Sequence, residues 1–145
     1  MSGLDAIIAI RSENPTARII VLTTYSGDAL AQRALKAGAQ AYVLKGLVRT
    51  EILNTIRVVY EGERRVQADV AAEIAKHTAD PTLTTREIEV LRLVASGHAN
   101  KEISARLSIN EETTKSHIKN ILAKLGAKDR THAASLGLKR GIISL

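Results

Sequence analysis

The chain has no cysteine among its 145 residues. Disulfides, thiol catalysis and thiolate metal sites are thereby excluded, in agreement with a reducing compartment. Phe and Trp are also absent, and Tyr occurs three times. The core must therefore be aliphatic, and the aromatic platforms on which single-strand and RNA binders stack bases are missing. No apolar run approaches the ~18 residues of a membrane span, and the first residues lack the charged-then-apolar pattern of a secretory signal. A cytoplasmic chain without a membrane partner is expected. Internal repeats and low-complexity tracts are lacking as well.

What is present is ordinary soluble-protein composition, 45% apolar and 25% charged, in a length that suits one medium domain or two small ones. Charge is uneven. From Met1 to Asp80 ten Lys and Arg face nine Asp and Glu, whereas from Pro81 to Leu145 eleven face six. The basic excess of the second part suits a polyanion-binding module, because phosphate contacts dominate nucleic-acid affinity.

The first half alternates helical periods with short apolar runs. Leu4, Ile7, Ile8 and Ile10 suit a helix that stops near Asn14-Pro15, where proline restricts its predecessor. Arg18 to Thr23 is β-branched and apolar, the pattern of a buried parallel strand. A helix from Gly27 to Ala37 ends at Gly38, and Ala41 to Lys45 forms a second strand, which completes a βαβ unit. Another helix runs from about Thr50 to Glu61, with Ile52, Leu53, Ile56 and Val59 expected inward, until Gly62 breaks it. Residues 63–82 read as a partly helical linker, with Asp80-Pro81 the expected boundary.

Beyond that boundary every element is helical. Thr84 and Glu87 have the spacing of a capping box that opens a helix carrying Ile88, Val90, Leu91, Val94 and Ala95. Asn100 is placed to cap a short helix burying Ile103 and Leu107. Ser108 to Asn110 turn the chain, and Asn110 caps a longer helix whose first turn holds Glu111 and Glu112. Short helix, tight turn and longer helix make the helix-turn-helix plan. At ~100° per residue, Thr114, Ile118, Ile121, Leu122 and Leu125 fall on one side of the longer helix. Lys115, Ser116, Lys119 and Asn120 lie away from that stripe. Such side chains on a helix that fits a major groove reach base edges, Lys being suited to guanine acceptors.

These residues carry a resemblance. Leu83-Thr-x-Arg-Glu-x-Glu-Val-Leu91, Gly97-x-x-Asn-Lys-Glu-Ile103, Leu107-x-Ile109 and Thr113-x-Lys-x-His117-x-x-Asn-Ile121-x-x-Lys-Leu125 closely resemble the DNA-binding domain of LuxR/NarL/FixJ-type response regulators, over 83–145. The resemblance implies base readout by Lys115, Ser116 and Lys119. It implies backbone contacts by Asn100, Lys101, Thr113, His117, Asn120 and Lys124, and a dimer contact through a fourth helix from about Arg130 to Gly141, capped by Asp129. Thr114 departs from the family's usual Val, so its hydroxyl needs a partner.

Met1-x-Gly-Leu-Asp5, Ile19 to Thr23, Ala34-x-x-Ala37-Gly-Ala39 and Tyr42-Val-Leu-Lys45 resemble the second half of a flavodoxin-like receiver domain, which makes 1–62 a partial receiver. On this resemblance Thr23 contacts a phosphoryl group, Lys45 neutralises it and Tyr42 is the switch aromatic. Gly46 stands where the family often has an acid. The phosphoacceptor Asp would lie before Met1, and the acidic pair that binds magnesium earlier still. The chain thus reads as an N-terminally truncated regulator, without cofactor and unable to accept a phosphoryl group. The fold class expected is an α/β remnant with two parallel strands, followed by an all-α four-helix helix-turn-helix domain. The outer edge of the first strand is then expected to be covered by a second copy or by rearranged helices.

Function follows as sequence-specific binding of double-stranded DNA by a homodimeric two-component transcription regulator. The alternative is an interaction protein that heterodimerises with a full-length response regulator, and a sensor kinase is a further expected partner. Lys124 is expected to support binding to every duplex alike. Enzyme chemistry lacks a signature: there is no nucleophile elbow or Gly-rich phosphate loop, and His77, His98, His117 and His132 lack metal-ligand spacing. His117 is expected to serve DNA or the helix surface, and the other three histidines to be exposed.

Overall fold

A computed structural model describes residues 1–47 and 49–145. The chain divides into two compact units, Met1–Thr78 and Ala79–Leu145. No helix among the described residues is long and apolar enough to cross a membrane.

In the first unit, α1 (Gly3–Glu13) opens with a reciprocal cap: the Asp5 N–H donates to Ser2 Oγ at 3.1 Å, and the Ser2 N–H to the Asp5 carboxylate at 3.0 Å. It ends at Asn14, before Pro15, whose ring disfavours helical backbone at its predecessor. There follow β1 (Ile20–Thr23), α2 (Asp28–Lys36), β2 (Ala41–Leu44), α3 (Arg49–Tyr60), β3 (Arg65–Val66) and α4 (Ala68–His77). The strands form a parallel sheet in the order β1-β2-β3, with Ile20 opposite Ala41, Thr23 opposite Leu44, and Tyr42 opposite Val66.

Strand alternation sorts β2 between two cores. Tyr42 and Leu44 join Ile7 of α1, Ala31 and Ala34 of α2, and Val70 of α4 on one face. Ala41 and Val43 meet Val59 of α3 on the other. The central strand is therefore apolar on both sides, as parallel sheets covered by helices require.

Two expectations for this unit need correction. The sheet has a third strand, β3, within the expected linker, and the following α4 places Val70 at 0% exposure in the first core. A two-residue strand beginning at Arg65 has no apolar run to announce it; Gln40, whose carbonyl accepts the Arg65 N–H at 2.8 Å, holds it in place. On α3, Leu53 and Ile56 face solvent, at 41% and 48% exposure, while Thr55 and Val59 are buried. The Thr55 hydroxyl donates to the Glu51 carbonyl at 2.9 Å, so it enters the interior without an unpaired polar atom. At one end of the sheet lies β1, with no strand among the described residues on its outer side and Leu22 half-exposed.

The second unit contains α5 (Thr85–Ala95), α6 (Asn100–Leu107), α7 (Glu111–Leu125) and α8 (Arg130–Arg140) around Leu83, Val90, Leu91, Val94, Ile103, Ile121, Ala133 and Ile143. Side-chain caps start three of these helices. Thr84 accepts from Glu87 N, Asn110 from Thr113 N at 2.7 Å, and Asp129 from His132 N at 2.8 Å. Each such cap is worth about 1 kcal/mol. The exception corrects a further expectation: α6 is preceded by Ala99, and Asn100 is its first residue rather than its cap. Ser108 adopts φ +55° and ends α6, which permits the tight turn into α7. α5 and α8 approach closely enough that a Cβ on Gly137 would sit 2.8 Å from Leu91 Cδ2.

Candidate nucleic-acid interface

α7 is held from beneath by Thr114 and Ile121, both buried, and by half-buried Ile118, Leu122 and Leu125. The foreign hydroxyl of Thr114 has its partner: Ser104 Oγ of α6 lies 2.7 Å from Thr114 Oγ1. Ser104 Oγ also donates to the Asn100 carbonyl at 2.7 Å. A hydroxyl has one proton, so Ser104 spends its own on Asn100 and receives that of Thr114. A buried polar bond thus joins the two helices of the helix-turn-helix.

The opposite side of α7 is open. Lys115, Ser116, Lys119 and Asn120 are exposed, with Thr113 and His117 half-buried at the margins. Lys115 Nζ touches the exposed Glu112 carboxylate at 3.4 Å, a surface pair that contributes little. Lys119 has no ion-pair partner among the described residues. Asn100 and Lys101 stand at the start of α6, which packs against α7; Lys101 is exposed and Asn100 half-buried. The arrangement gathers cationic and hydrogen-bonding side chains on a convex helix, which a phosphate-lined groove accommodates.

Lys124 does not join them. Its ammonium donates to both oxygens of the Glu87 carboxylate, at 3.1 and 2.9 Å, and to the Thr82 carbonyl at 3.3 Å. Burial disfavours the Glu87 carboxylate, but the Lys124 hydrogen bond, the Thr84 N–H, and the charges of Lys124 and His117 outweigh it. The carboxyl is held below its ordinary range. The expected backbone-contacting lysine is therefore an internal counter-ion that ties α7 to the cap of α5.

The histidines also differ from expectation. His77 and His98 are 18% and 21% exposed, lying 3.9 and 3.1 Å from the carboxylates of Glu73 and Glu102, and His132 Nδ1 accepts from the Lys128 N–H at 3.0 Å.

A residue outside the expected set is Arg130, the first of α8. Nη1 donates to Asn100 Oδ1 and Nη2 to the His98 carbonyl, each at 2.7 Å. A cation in the first turn opposes the helix dipole, and that conflict is the one signal of it in the sequence.

In the first unit, parallel pairing brings Thr23 and Lys45 together at the strand ends, where the Lys45 N–H donates to the Thr23 carbonyl at 2.6 Å. Tyr42 is fully buried and donates to the Tyr25 carbonyl at 2.6 Å. Burial pushes its hydroxyl pKa up, against the effect of a hydrogen bond with Thr23. Gly46 follows in a turn at φ +104°. Among the described residues, no three His, Cys, Asp or Glu side chains come together as metal ligands.

The sequence pattern of bacterial regulatory proteins of the luxR family matches residues 81–136, and that of the response regulator receiver domain matches residues 1–57. The chain is similar to the response regulator protein VraR of Staphylococcus epidermidis, 34% identical over 99% of this chain and 71% of VraR. It is also similar to the transcriptional regulatory protein LiaR of Bacillus subtilis, 39% identical over 92% of this chain and 67% of LiaR. Among solved structures, RcsB of Salmonella enterica serovar Typhimurium bound to promoter rprA matches with a TM-score of 0.64 and 27% identity, over 96% of this chain and 68% of that one. A structure of two RcsB dimers bound to two parallel DNAs matches with the same score and identity, over 95% and 68%.

Proposed function

The chain belongs to the response regulators whose C-terminal half is of the luxR family, and on that premise we propose that it is a sequence-specific, duplex-DNA-binding transcription regulator of the bacterial cytoplasm. The observation that carries this reading is the solvent-facing set Lys115, Ser116, Lys119 and Asn120 on a helix locked from behind. Lys115, Ser116 and Lys119 read base edges. Asn120, Thr113, His117, Asn100 and Lys101 contact the sugar-phosphate backbone, while Lys124 stabilises the domain from inside.

Binding proceeds as a homodimer on paired half-sites. Thr131, Ser135 and Leu138 share one exposed side of α8, at helical spacing suited to meeting a second copy. Relatives described as dimers on DNA support this. In the receiver-like unit, Thr23 and Lys45 at the strand ends are placed to position charge at a phosphoryl group, and neither is itself a phosphoryl-accepting carboxylate.

The test is a salt-dependent titration against randomised duplexes. Wild type selects a preferred sequence, and Lys115→Ala with Lys119→Ala erases that preference at a cost of about 1–3 kcal/mol per lost base contact. Undiminished selectivity in the double variant would remove the assignment.

A further inference from the structure

The guanidinium of Arg130 is committed to two neutral acceptors, Asn100 Oδ1 and the His98 carbonyl, and has no ion-pair partner among the described residues. An arginine donates and never accepts, so the oxygen of the Asn100 amide must be the atom turned toward it. The amide nitrogen is then turned away. Among the described residues Asn100 Nδ2 has no hydrogen-bond partner, and the one sealed, unbonded side-chain polar atom is Arg11 Nε. The NH2 group is therefore open to solvent. It stands beside exposed Lys101 and on the helix whose Ser104 bonds to Thr114 of α7.

We infer that Arg130 is a positioning residue for the DNA-facing surface: it fixes the Asn100 amide with its NH2 outward, as a donor to a backbone phosphate oxygen. The inference rests on the DNA-binding reading and adds α8 to it. Arg130 on α8, Asn100 and Ser104 on α6, and Thr114 on α7 form one hydrogen-bonded series. A free asparagine amide would rotate and pay the entropy of ordering on contact with DNA; the fork of Arg130 removes that cost beforehand.

The experiment measures duplex affinity of the full 145-residue chain at several salt concentrations, together with the Asn100 side-chain amide resonances by NMR. Asn100→Asp keeps the acceptor for Arg130 but loses the donor and sets a negative charge against the phosphate, so affinity falls about tenfold or more. Arg130→Met falls by about three- to tenfold with an unchanged salt slope, because the contact it organises is made by a neutral amide. Combining Arg130→Met with Asn100→Ala weakens binding no further than Asn100→Ala alone. In wild type the Asn100 amide signals shift on addition of duplex, and in Arg130→Met they broaden or average in the free protein.

Additive losses in the double variant would overturn the inference. So would a salt slope reduced by about one in Arg130→Met, which would make Arg130 itself the phosphate contact. Should Arg130→Met unfold, Arg130→Lys carries the test: it reaches one acceptor instead of both, and intermediate binding with unchanged slope is expected. Wild type that binds no duplex would overturn the DNA reading and this inference together. Wild type that binds, with Arg130→Met binding equally well, would overturn this inference alone.

Discussion

At the scale of single residues, the second unit is governed by polar atoms brought inside and paired there. Glu87 is 6% exposed at its side chain and Lys124 26%, so their contact is partly screened. Because the folded state lowers the Glu87 pKa, ionisation stabilises the fold above the usual carboxylate range, and that contribution is lost as pH falls through the depressed folded value. Glu87→Gln is expected to cost about 2 kcal/mol at neutral pH and to flatten the acid limb of stability, measured by urea unfolding from pH 7 downward. The Ser104–Thr114 bond behaves differently. Thr114→Val removes a hydroxyl that donates to Ser104 and only distantly approaches the Asn110 carbonyl, and it leaves Ser104 bonded to Asn100, so unfolding free energy should change by less than about 1 kcal/mol. Ser104→Ala leaves the Thr114 hydroxyl with the Asn110 carbonyl at 3.4 Å and should cost about 1–2 kcal/mol. The caps of Thr84, Asn110 and Asp129 were readable because their partners lie three residues away. The Lys124–Glu87 and Arg130–Asn100 bonds join residues 37 and 30 positions apart, and no local pattern announces them.

At the scale of elements, periodicity located the helices well and their inward faces less well. An apolar band on α7 found its core because helices pack along its length. On α3, Val59 and Thr55 took the interior while Leu53, Ile56 and Tyr60 remained outside. Arg18 sits over the Tyr60 ring at 5.4 Å, giving that exposed aromatic a local partner. Val59→Ala should therefore cost about 1–3 kcal/mol, and Ile56→Gln less than about 0.5 kcal/mol, by denaturant midpoint at constant m-value. Equal losses would show that α3 is rotated from the orientation described. Gly137→Ala forces a methyl into Leu91 and Ile143 where α5 and α8 meet, at an expected cost of about 1–3 kcal/mol.

For the whole molecule, each of the two units has an apolar core of its own. Residues 79–145 are accordingly expected to fold alone, with a thermal transition and duplex affinity like those of the same unit in the full chain. Fold class was legible from the alternation of strand and helix patterns in one half and their replacement by helices in the other. The third strand was not, because β3 gains its place from the Gln40 backbone and the neighbouring β2 rather than from its own composition. With no cluster of metal-ligating side chains among the described residues, the 145-residue chain is expected to incorporate no acid-labile phosphate from a small phosphodonor. Stoichiometric labelling would contradict that expectation.

The short strand β3 and the helix behind it also restrict how the gene can vary. Val66 and Val70 are anchored in one interior and Leu83 in another, whereas Thr78 to Thr82 are all exposed. Codon insertions and deletions accumulating across a lineage should then cluster in that five-residue window, since a length change upstream shifts an anchored valine out of its socket, whereas one inside the window disturbs exposed side chains and the surface contacts of Asp80 with Arg140 and of the Thr82 carbonyl with Lys124.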